Sequence, residues 1–351
     1  MADALLRSRG TRVPDAVAPE VMSVSDSEAV VFVGSSQRRY EGLKPGTEYS
    51  YGGLSWRTLS PPGGERLATV ATVNDTHFGE EECGLAELDI GPVLSVGPGE
   101  DPYPEVMNRG AVAEIASIGP DAVVVKGDLT STGQREQYAL FEACYRPTFG
   151  DSLFVTLGNH DNRPEGKAFE VPPVQEVTLP GAVLAILDTT VPEGGGGCLT
   201  KDQLGWLDEL GSRADRPVMV FGHHPCWQAD AFRWATKPNA LDLDSSLALM
   251  GAFRRRPKLV GYFCGHTHRN ALRRFEPAGP APFVEVACVK DFPGSWAEYR
   301  IFEGGILQVH HRICSPEALA WSERCRSMFA GQYPAYALGE LSDRCFVLPL
   351  D

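Results

Sequence analysis

The sequence has no apolar run long enough to span a bilayer, and it is short of basic residues. The longest apolar runs, such as Ala182–Leu187, fall far below the roughly 20 residues that a membrane helix needs. The 351 residues include 32 Lys and Arg against 46 Asp and Glu, which gives a formal charge of −14. A chain this acidic repels nucleic acid, and its only compact basic run is Arg254, Arg255 and Arg256 with Lys258 nearby. These shortages argue against membrane insertion and against nucleic-acid binding.

Cysteine pairs of the Cys-x-x-Cys type are also absent. The nine cysteines are odd in number and widely scattered, which predicts reduced thiols rather than a disulfide framework or a thiolate zinc site. Residues 1–14 carry three arginines but no apolar block that could serve as a secretory signal. The sequence therefore predicts a cytoplasmic protein.

Three segments with different patterns follow one another along the chain. Residues 1–64 alternate apolar and polar positions between glycines and prolines, which predicts a small β-rich module. Within it, residues 42–51 resemble the turn and tyrosine corner of fibronectin-type sandwiches. Residues 65–313 alternate strand-like runs with helical patterns, as in a layered α/β fold. Residues 314–351 form an extension that begins with a helix and ends in an irregular tail.

Apolar residues at helical spacing predict the helices of the last two segments. Thr200 precedes one of them and is followed three residues later by Gln203, which predicts a capping box at that helix start. The predicted helices cover residues 108–118, 134–145, 200–210, 245–253 and 316–329.

Five apolar runs end in residue types that bind metals. Each run has the length of a buried strand, and Asp, Asn or His follows it closely. Because the carboxyl ends of strands form the functional crevice of layered α/β folds, we expect these side chains to converge. Carboxylate, imidazole and amide ligands without a thiolate suit divalent ions such as Zn²⁺, Mn²⁺ or Fe, singly or as a pair. The motifs are Asn74-Asp75-Thr76-His77, Gly127-Asp128, Gly158-Asn159-His160-Asp161, Gly222-His223-His224 and Gly265-His266-Thr267-His268.

The identity and order of these motifs resemble the calcineurin-like metallophosphoesterases. The resemblance covers residues 67–313. The sequence around and between the motifs is most similar to the branch of class III cyclic nucleotide and glycerophosphodiester phosphodiesterases, in residues 127–130 and 187–190 above all. The resemblance implies an α/β (α+β) fold, a four-layer α/β/β/α sandwich of two β-sheets flanked by helices.

The resemblance also implies a site for two divalent metal ions, Mn, Fe or Zn. A carboxylate shared by the ions offsets their mutual repulsion, and this role falls to Asp128. The implied ligands are Asp75, His77, Asp128 and His268 for one ion, and Asp128, Asn159, His223 and His266 for the other.

The implied activity is hydrolysis of a small-molecule phosphate ester, with phosphodiesters favoured. We hypothesise in-line attack on phosphorus by a metal-bound hydroxide, while His160 protonates or stabilises the leaving group. Asp161 either orients His160 or is a solvated loop residue. Four neighbours are candidates for substrate contact, each with a capping, packing or surface role as its alternative. They are Asn74, His224, Trp227 and Arg269.

Other functions of proteins with related motifs are alternatives to phosphodiester hydrolysis. A phosphomonoesterase of the same fold would share the metal core. A non-catalytic scaffold usually lacks one of the ligands or the histidine at position 160, and all are present here. A purple acid phosphatase would have a tyrosine in place of Ser131 and would lack His77. A nuclease is disfavoured by the acidic charge. The C-terminal helix has two alternative roles: it forms a homodimer contact, or it packs on its own domain.

Overall fold

The computed structural model describes residues 18–85, 90–162, 169–192, 194–228 and 239–350. Its first strands form a small β unit. An antiparallel sheet contains β1 (Glu20–Val24), β2 (Ala29–Val33) and β3 (Ser36–Tyr40), and a hairpin contains β4 (Glu48–Tyr51) and β5 (Leu54–Arg57). The backbone N–H of Lys44 donates to the hydroxyl of Tyr49 at 2.8 Å, as in a tyrosine corner. The predicted antiparallel strands are confirmed.

Strands and helices alternate through most of the remaining chain. In chain order they are β6 (Arg66–Val73), α1 (Tyr103–Ile118), β7 (Ala122–Lys126), α2 (Arg135–Phe149), β8 (Leu153–Thr156), β9 (Val174–Leu179), β10 (Ala182–Leu187), α3 (Lys201–Arg213), β11 (Val218–Phe221), α4 (Leu243–Arg255), β12 (Leu259–Cys264), β13 (Ala271–Arg274), β14 (Pro282–Glu285), β15 (Ser295–Phe302), β16 (Gly305–Arg312), α5 (Pro316–Cys325), α6 (Tyr333–Leu338), α7 (Leu341–Arg344) and β17 (Phe346–Pro349).

These strands form two six-stranded sheets of mixed direction. The first has the order β17-β16-β15-β6-β7-β8, and the second has the order β13-β14-β12-β11-β10-β9. In the first sheet β6, β7 and β8 are parallel, and in the second β10, β11, β12 and β14 are parallel. The carboxyl ends of β6, β7, β8, β11 and β12 carry the five motifs that are predicted to bind metal.

Apolar side chains fill three layers of core. Residues such as Val70 and Val124 of the first sheet pack against Phe221 and Phe263 of the second. The outer face of the first sheet is covered by α1, α2 and α5, and the outer face of the second sheet is covered by α3 and α4. This arrangement confirms the predicted four-layer α/β/β/α sandwich.

All five predicted helices are present, with boundaries that differ by up to about five residues. The capping box is confirmed, since Thr200 Oγ1 accepts from Gln203 N and Gln203 Oε1 accepts from Thr200 N. The expected irregular tail is wrong. It contains α6, α7 and β17, and β17 extends the first sheet by pairing with β16.

The amino-terminal β unit packs on the C-terminal segment. Val24 and Trp56 share one apolar cluster with Cys345, and Met22 and Phe32 share another with Leu319. The boundaries placed after residues 64 and 313 stay predictions. Among the described helices, none combines the length and the apolar character that crossing a bilayer would require.

Candidate metal centre

The loops that carry the motifs are tied to one another by hydrogen bonds. The backbone N–H of Asp75 donates to Gly127 O at 3.0 Å, and that of His77 donates to Asp128 O at 2.9 Å. The N–H of His266 donates to Asp75 Oδ2 at 3.0 Å, although these residues are far apart in sequence. The predicted convergence of the strand ends is therefore present in the structure.

Five motif residues have a left-handed backbone conformation. The φ angle is +56° at Asp75, +49° at His77, +51° at Asp128, +68° at His266 and +55° at His268. Non-glycine residues seldom adopt this conformation, and only two further non-glycine residues in the described ranges have it. Such strained residues persist where the surroundings hold them, and they concentrate at functional sites. The backbone conformation therefore indicates a functional site at this cluster, independently of the chemistry of its side chains.

One set of potential ligand atoms comes from both sheets. His77 Nε2 lies 3.5 Å from Asp128 Oδ2, and His268 Nε2 lies 3.4 Å from Asp75 Oδ1. Asp75, His77 and Asp128 are buried, while His268 is partly exposed.

A second set shares Asp128 with the first. His223 Nε2 lies 3.4 Å from Asp128 Oδ2, 3.2 Å from Asn159 Oδ1 and 3.1 Å from His266 Nδ1. Ligand atoms about 2.1 Å from a tetrahedral ion are about 3.4 Å from one another. The distances given for each set are therefore those expected around one ion per set.

The hydrogen bonding of the site also fits bound cations. Asp75 Oδ1 and His77 Nε2 are buried, and neither has a hydrogen-bond partner. An unsatisfied buried polar atom costs about 1–3 kcal/mol. A divalent ion would satisfy both atoms, and their chemistry suits Zn²⁺, Mn²⁺ or Fe.

The charges within the cluster favour ionised carboxylates. Burial opposes ionisation of Asp75 and Asp128, but the neighbouring histidines outweigh it and hold the pKa of both carboxyls below its usual range. Burial, with the charge of His223, lowers the pKa of His266 to about 3. Burial also disfavours the charged form of His223, but Asp128 raises its pKa to about 9. A cation that binds here must therefore displace a proton from His223.

The sequence model of the calcineurin-like phosphoesterases matches residues 68–270, more than half of the chain. The chain belongs to this family. It is similar to a probable glycerophosphodiester phosphodiesterase of Arcobacter nitrofigilis, with 26% identity over 64% of this chain and 85% of that protein. It is also similar to a cAMP/cGMP dual specificity phosphodiesterase of Mycobacterium tuberculosis, with 30% identity over 46% of this chain and 52% of that protein.

A solved structure supports the same fold. The dimetal phosphatase from Danio rerio superposes with a TM-score of 0.52 and 16% identity, over 71% of this chain and 98% of that chain. At this identity the likeness concerns the fold alone. Membership of the calcineurin-like phosphoesterases confirms the resemblance drawn from the motifs, and it makes the protein a phosphoric ester hydrolase.

His160 lies beside the first set of ligand atoms and lines the cleft. Its ring centre is 4.6 Å from that of His77, and its Nδ1 is 2.7 Å from Ser131 O. Its backbone N–H donates to Asp128 Oδ1 at 2.8 Å. Since a carbonyl only accepts, Nδ1 carries the proton in this contact.

Asp161 is buried and bonded to the neighbouring loops rather than solvated, and its orientation of His160 stays a prediction. Its carboxylate accepts the backbone N–H groups of Leu129, Thr130 and Gly158 at 2.8–3.0 Å, and the hydroxyl of Thr130 at 2.7 Å. These contacts tie the loop after β7 to the loop after β8, so Asp161 holds the two loops that carry Asp128 and Asn159.

The four candidates for substrate contact differ in their surroundings, and their contact with substrate stays a prediction. Asn74 is buried and donates to Asp75 Oδ2 at 2.5 Å. His224 is buried, with Nδ1 2.8 Å from Thr189 Oγ1. Arg269 is also buried and forms an ion pair with a carboxylate, as described below, while Trp227 is 41% exposed. None of the four is among the described residues that line the cleft.

A cleft of about 440 Å³ lies over the motif residues, and several of its lining residues were missed by the sequence reasoning. Glu80 stands three residues after His77, a local signal that could have been used. The others carry no such signal because the fold brings them in from distant segments. The missed lining residues include Glu80, Asn239, Lys290, Asp291, Tyr333 and Tyr336.

Proposed function

We propose that this protein hydrolyses phosphodiesters with the help of two divalent ions, Mn, Fe or Zn. The observation that carries the proposal is the meeting of two sets of ligand atoms at one buried carboxylate, Asp128, on the floor of a cleft. Bound ions would supply Lewis-acid stabilisation of the phosphoryl oxygens and a water nucleophile near neutral pH. The proposed ligands are Asp75, His77, Asp128 and His268 for one ion, and Asp128, Asn159, His223 and His266 for the other.

His160 is the proposed general acid. The contact of Nδ1 with Ser131 O fixes the ring and its tautomer, which leaves Nε2 as the atom that exchanges a proton with the leaving group. A positioned acid of this kind contributes about 10²–10⁴-fold to the rate. Asp161 contributes indirectly, since it holds the loop from which His160 projects.

The charges of the cleft support a diester rather than a monoester substrate. Lys290 is the only Lys or Arg among the described lining residues, and its Nζ is paired with Glu80 at 2.5 Å. Glu82 and Asp291 add further negative charge. Bound ions would attract either ester, but beyond them the described lining offers no further Lys or Arg for the second negative charge of a monoester. The two relatives described above are also named as phosphodiesterases.

Two finer expectations accompany the proposal. A cytoplasmic location is supported by the nine cysteines, all of which are free thiols in the structure. Formation of a homodimer stays a prediction.

Turnover and metal content together test the proposed function. The purified protein should bind about two equivalents of Mn²⁺ or Zn²⁺, and it should hydrolyse bis-p-nitrophenyl phosphate faster than p-nitrophenyl phosphate. Faster hydrolysis of the monoester would favour the phosphomonoesterase. Metal binding without hydrolysis of either ester would favour a scaffold, and absence of metal binding would contradict the ligand assignment.

A further inference from the structure

Two histidines of the cluster have carboxylates behind them. His77 Nδ1 lies 2.7 Å from Glu80 Oε2, and His268 Nδ1 lies 3.3 Å from Asp291 Oδ2. The opposite nitrogen, Nε2, faces Asp128 in the case of His77 and Asp75 in the case of His268. An imidazole whose Nδ1–H is given to a carboxylate presents the lone pair of Nε2 on its other side. For His268 this contact is a hydrogen bond, whereas His77 Nδ1 approaches Glu80 Oε2 at ion-pair distance without hydrogen-bond alignment. In both rings Nε2 is the nitrogen that faces a carboxylate of the first set.

These two carboxylates are held by neighbouring groups in the fold. Lys290 Nζ lies 2.5 Å from Glu80 Oε1, and the next residue in the chain is Asp291. The two residues lie in the segment between β14 and β15 and are 5% and 2% exposed. A single dipeptide thus contacts His268 directly and His77 through Glu80.

The C-terminal segment supports Asp291 from the other side. The hydroxyl of Tyr333, at the start of α6, donates to Asp291 Oδ1 at 2.7 Å, and the thiol of Cys288 donates to the same oxygen at 2.8 Å. Tyr333 is 3% exposed. It lies more than sixty residues after the last position matched by the family model, so this contact comes from a part of the chain outside the shared region.

We propose that Asp291, supported by Tyr333, and Glu80, supported by Lys290, are positioning residues that hold His268 and His77 toward the first ion. They act through the histidines and do not touch the substrate's phosphorus. Partners of this kind typically contribute 10–100-fold to metal affinity. The inference rests on the proposed assignment of His77 and His268 as ligands.

Titration of the metal-free protein with Mn²⁺ alone, followed by calorimetry, tests this proposal without any activity measurement. Asp291→Ala should weaken one of the two binding steps by about 10–100-fold. Asp291→Asn keeps an acceptor of the same shape and should recover part of this loss. Tyr333→Phe should weaken the same step by a smaller factor, since Asp291 keeps its contact with Cys288.

Tyr138→Phe is the matched control. It also removes a tyrosine hydroxyl that donates to a carboxylate, that of Glu142 at 2.9 Å, but on α2 and away from the cleft. Its Mn²⁺ affinity should equal that of the wild type. The visible spectrum of bound Co²⁺ gives a second readout, because a change in the orientation of His268 alters the absorption bands of Asp291→Ala but not those of Tyr138→Phe.

Three results separate the outcomes. If Asp291→Asn and Tyr333→Phe fold, melt at lower temperature and bind Mn²⁺ like the wild type, the contacts are structural and the proposal is wrong. His268, Cys288 and Asp291 also lie close enough together to hold an ion of their own. If the wild type binds a third equivalent of Mn²⁺ that Asp291→Ala and Cys288→Ser both lose, Asp291 is a ligand rather than a positioning residue, which also overturns the proposal. A wild-type protein that binds no Mn²⁺ would instead contradict the proposed function, before any variant is compared.

Discussion

At the scale of single residues, the cluster depends most on Asp128. Its carboxylate lies within 3.5 Å of a histidine nitrogen in each set, and it also accepts the backbone N–H of His160. It is 2% exposed and carries left-handed backbone strain. Asp75 Oδ2 also accepts the backbone N–H of His266, but Asp128 is the carboxylate that lies within 3.5 Å of a histidine nitrogen in each set, so its loss should affect both ions.

Asp128→Ala should abolish phosphoester hydrolysis and lower the content of both metals, because it removes the ligand that the two ions share. Without the ions, the several kcal/mol by which they stabilise the transition state are lost. Metal analysis by mass spectrometry and turnover of bis-p-nitrophenyl phosphate check this. Asp151→Ala, an exposed carboxylate in the turn before β8, is the control and should change neither quantity. Two full equivalents of metal in Asp128→Ala would contradict the bridging role.

His160→Ala should retain both metals and lose about 10²–10⁴-fold in kcat, since the residue is proposed to serve the leaving group and not an ion. The loss should be smaller for a substrate with a p-nitrophenolate leaving group than for one with an alkoxide, because p-nitrophenolate departs without protonation. A fall in metal content would instead identify His160 as a ligand.

The sequence predicted the clustered residues because each stands next to the end of an apolar strand. It could not predict their supporting partners, which the fold brings in from distant segments. Arg269 shows the difference: it follows His268 directly and was a candidate for substrate contact, but its Nε donates to Glu285 Oε2 at 2.8 Å. Glu285 ends β14, and no local pattern connects the two residues.

At the scale of elements, the turns after β7 and β8 are packed against each other without spare room. A Cβ atom at Gly158 would lie 2.2 Å from Asp128 Oδ1 and 2.3 Å from Asp128 N. Contacts this short cannot be accommodated without moving the loop that carries Asp128. Glycine at this position therefore allows two strand ends to deliver Asp128 and Asn159 to one point.

Gly158→Ala should lower metal content and turnover by displacing Asp128, and it should also lower the melting temperature. Gly205→Ala is the matched control, since Gly205 lies in α3 and a Cβ there would meet nothing within 4 Å. That control should keep full activity and gain up to about 1 kcal/mol of stability from helix propensity. Equal activity in the two variants would mean that the loop carrying Asp128 accommodates the added methyl group without displacing the carboxylate.

Element prediction succeeded where the local pattern was strong and failed where a partner decides the structure. The apolar runs that precede Gly222 and Gly265 form the strands β11 and β12, as the sequence predicted. In contrast β17 is a short run that ends at Pro349, and it becomes a strand because β16 offers an unpaired edge. The predicted C-terminal helix likewise ends early, at Cys325, and a turn leads from it to Phe329 and Ala330, whose left-handed conformation no helical pattern predicts.

At the scale of the whole molecule, the amino-terminal β unit is joined to the C-terminal segment. Arg344, in α7, is 3% exposed and donates to Val21 O and Met22 O in β1. It also donates to Leu338 O and Gly339 O, in the segment after Tyr333. The amino-terminal unit and the C-terminal tail therefore stabilise each other, and Tyr333 of the tail in turn contacts Asp291 beside the candidate metal centre.

Arg344→Ala should destabilise the protein by about 3 kcal/mol, because it removes the donor from the buried carbonyl of Met22 and from the part-buried carbonyls of Val21, Leu338 and Gly339. Chemical denaturation of the full-length chain measures the change. Arg39→Ala is the control, since the Arg39 side chain is 44% exposed in a surface ion pair with Glu28 and should contribute no more than about 1 kcal/mol. Because Tyr333 lies on the same segment, Arg344→Ala should also weaken Mn²⁺ binding, whereas Arg39→Ala should not. Equal stability of the two variants would show that the ends are held together by their apolar clusters alone.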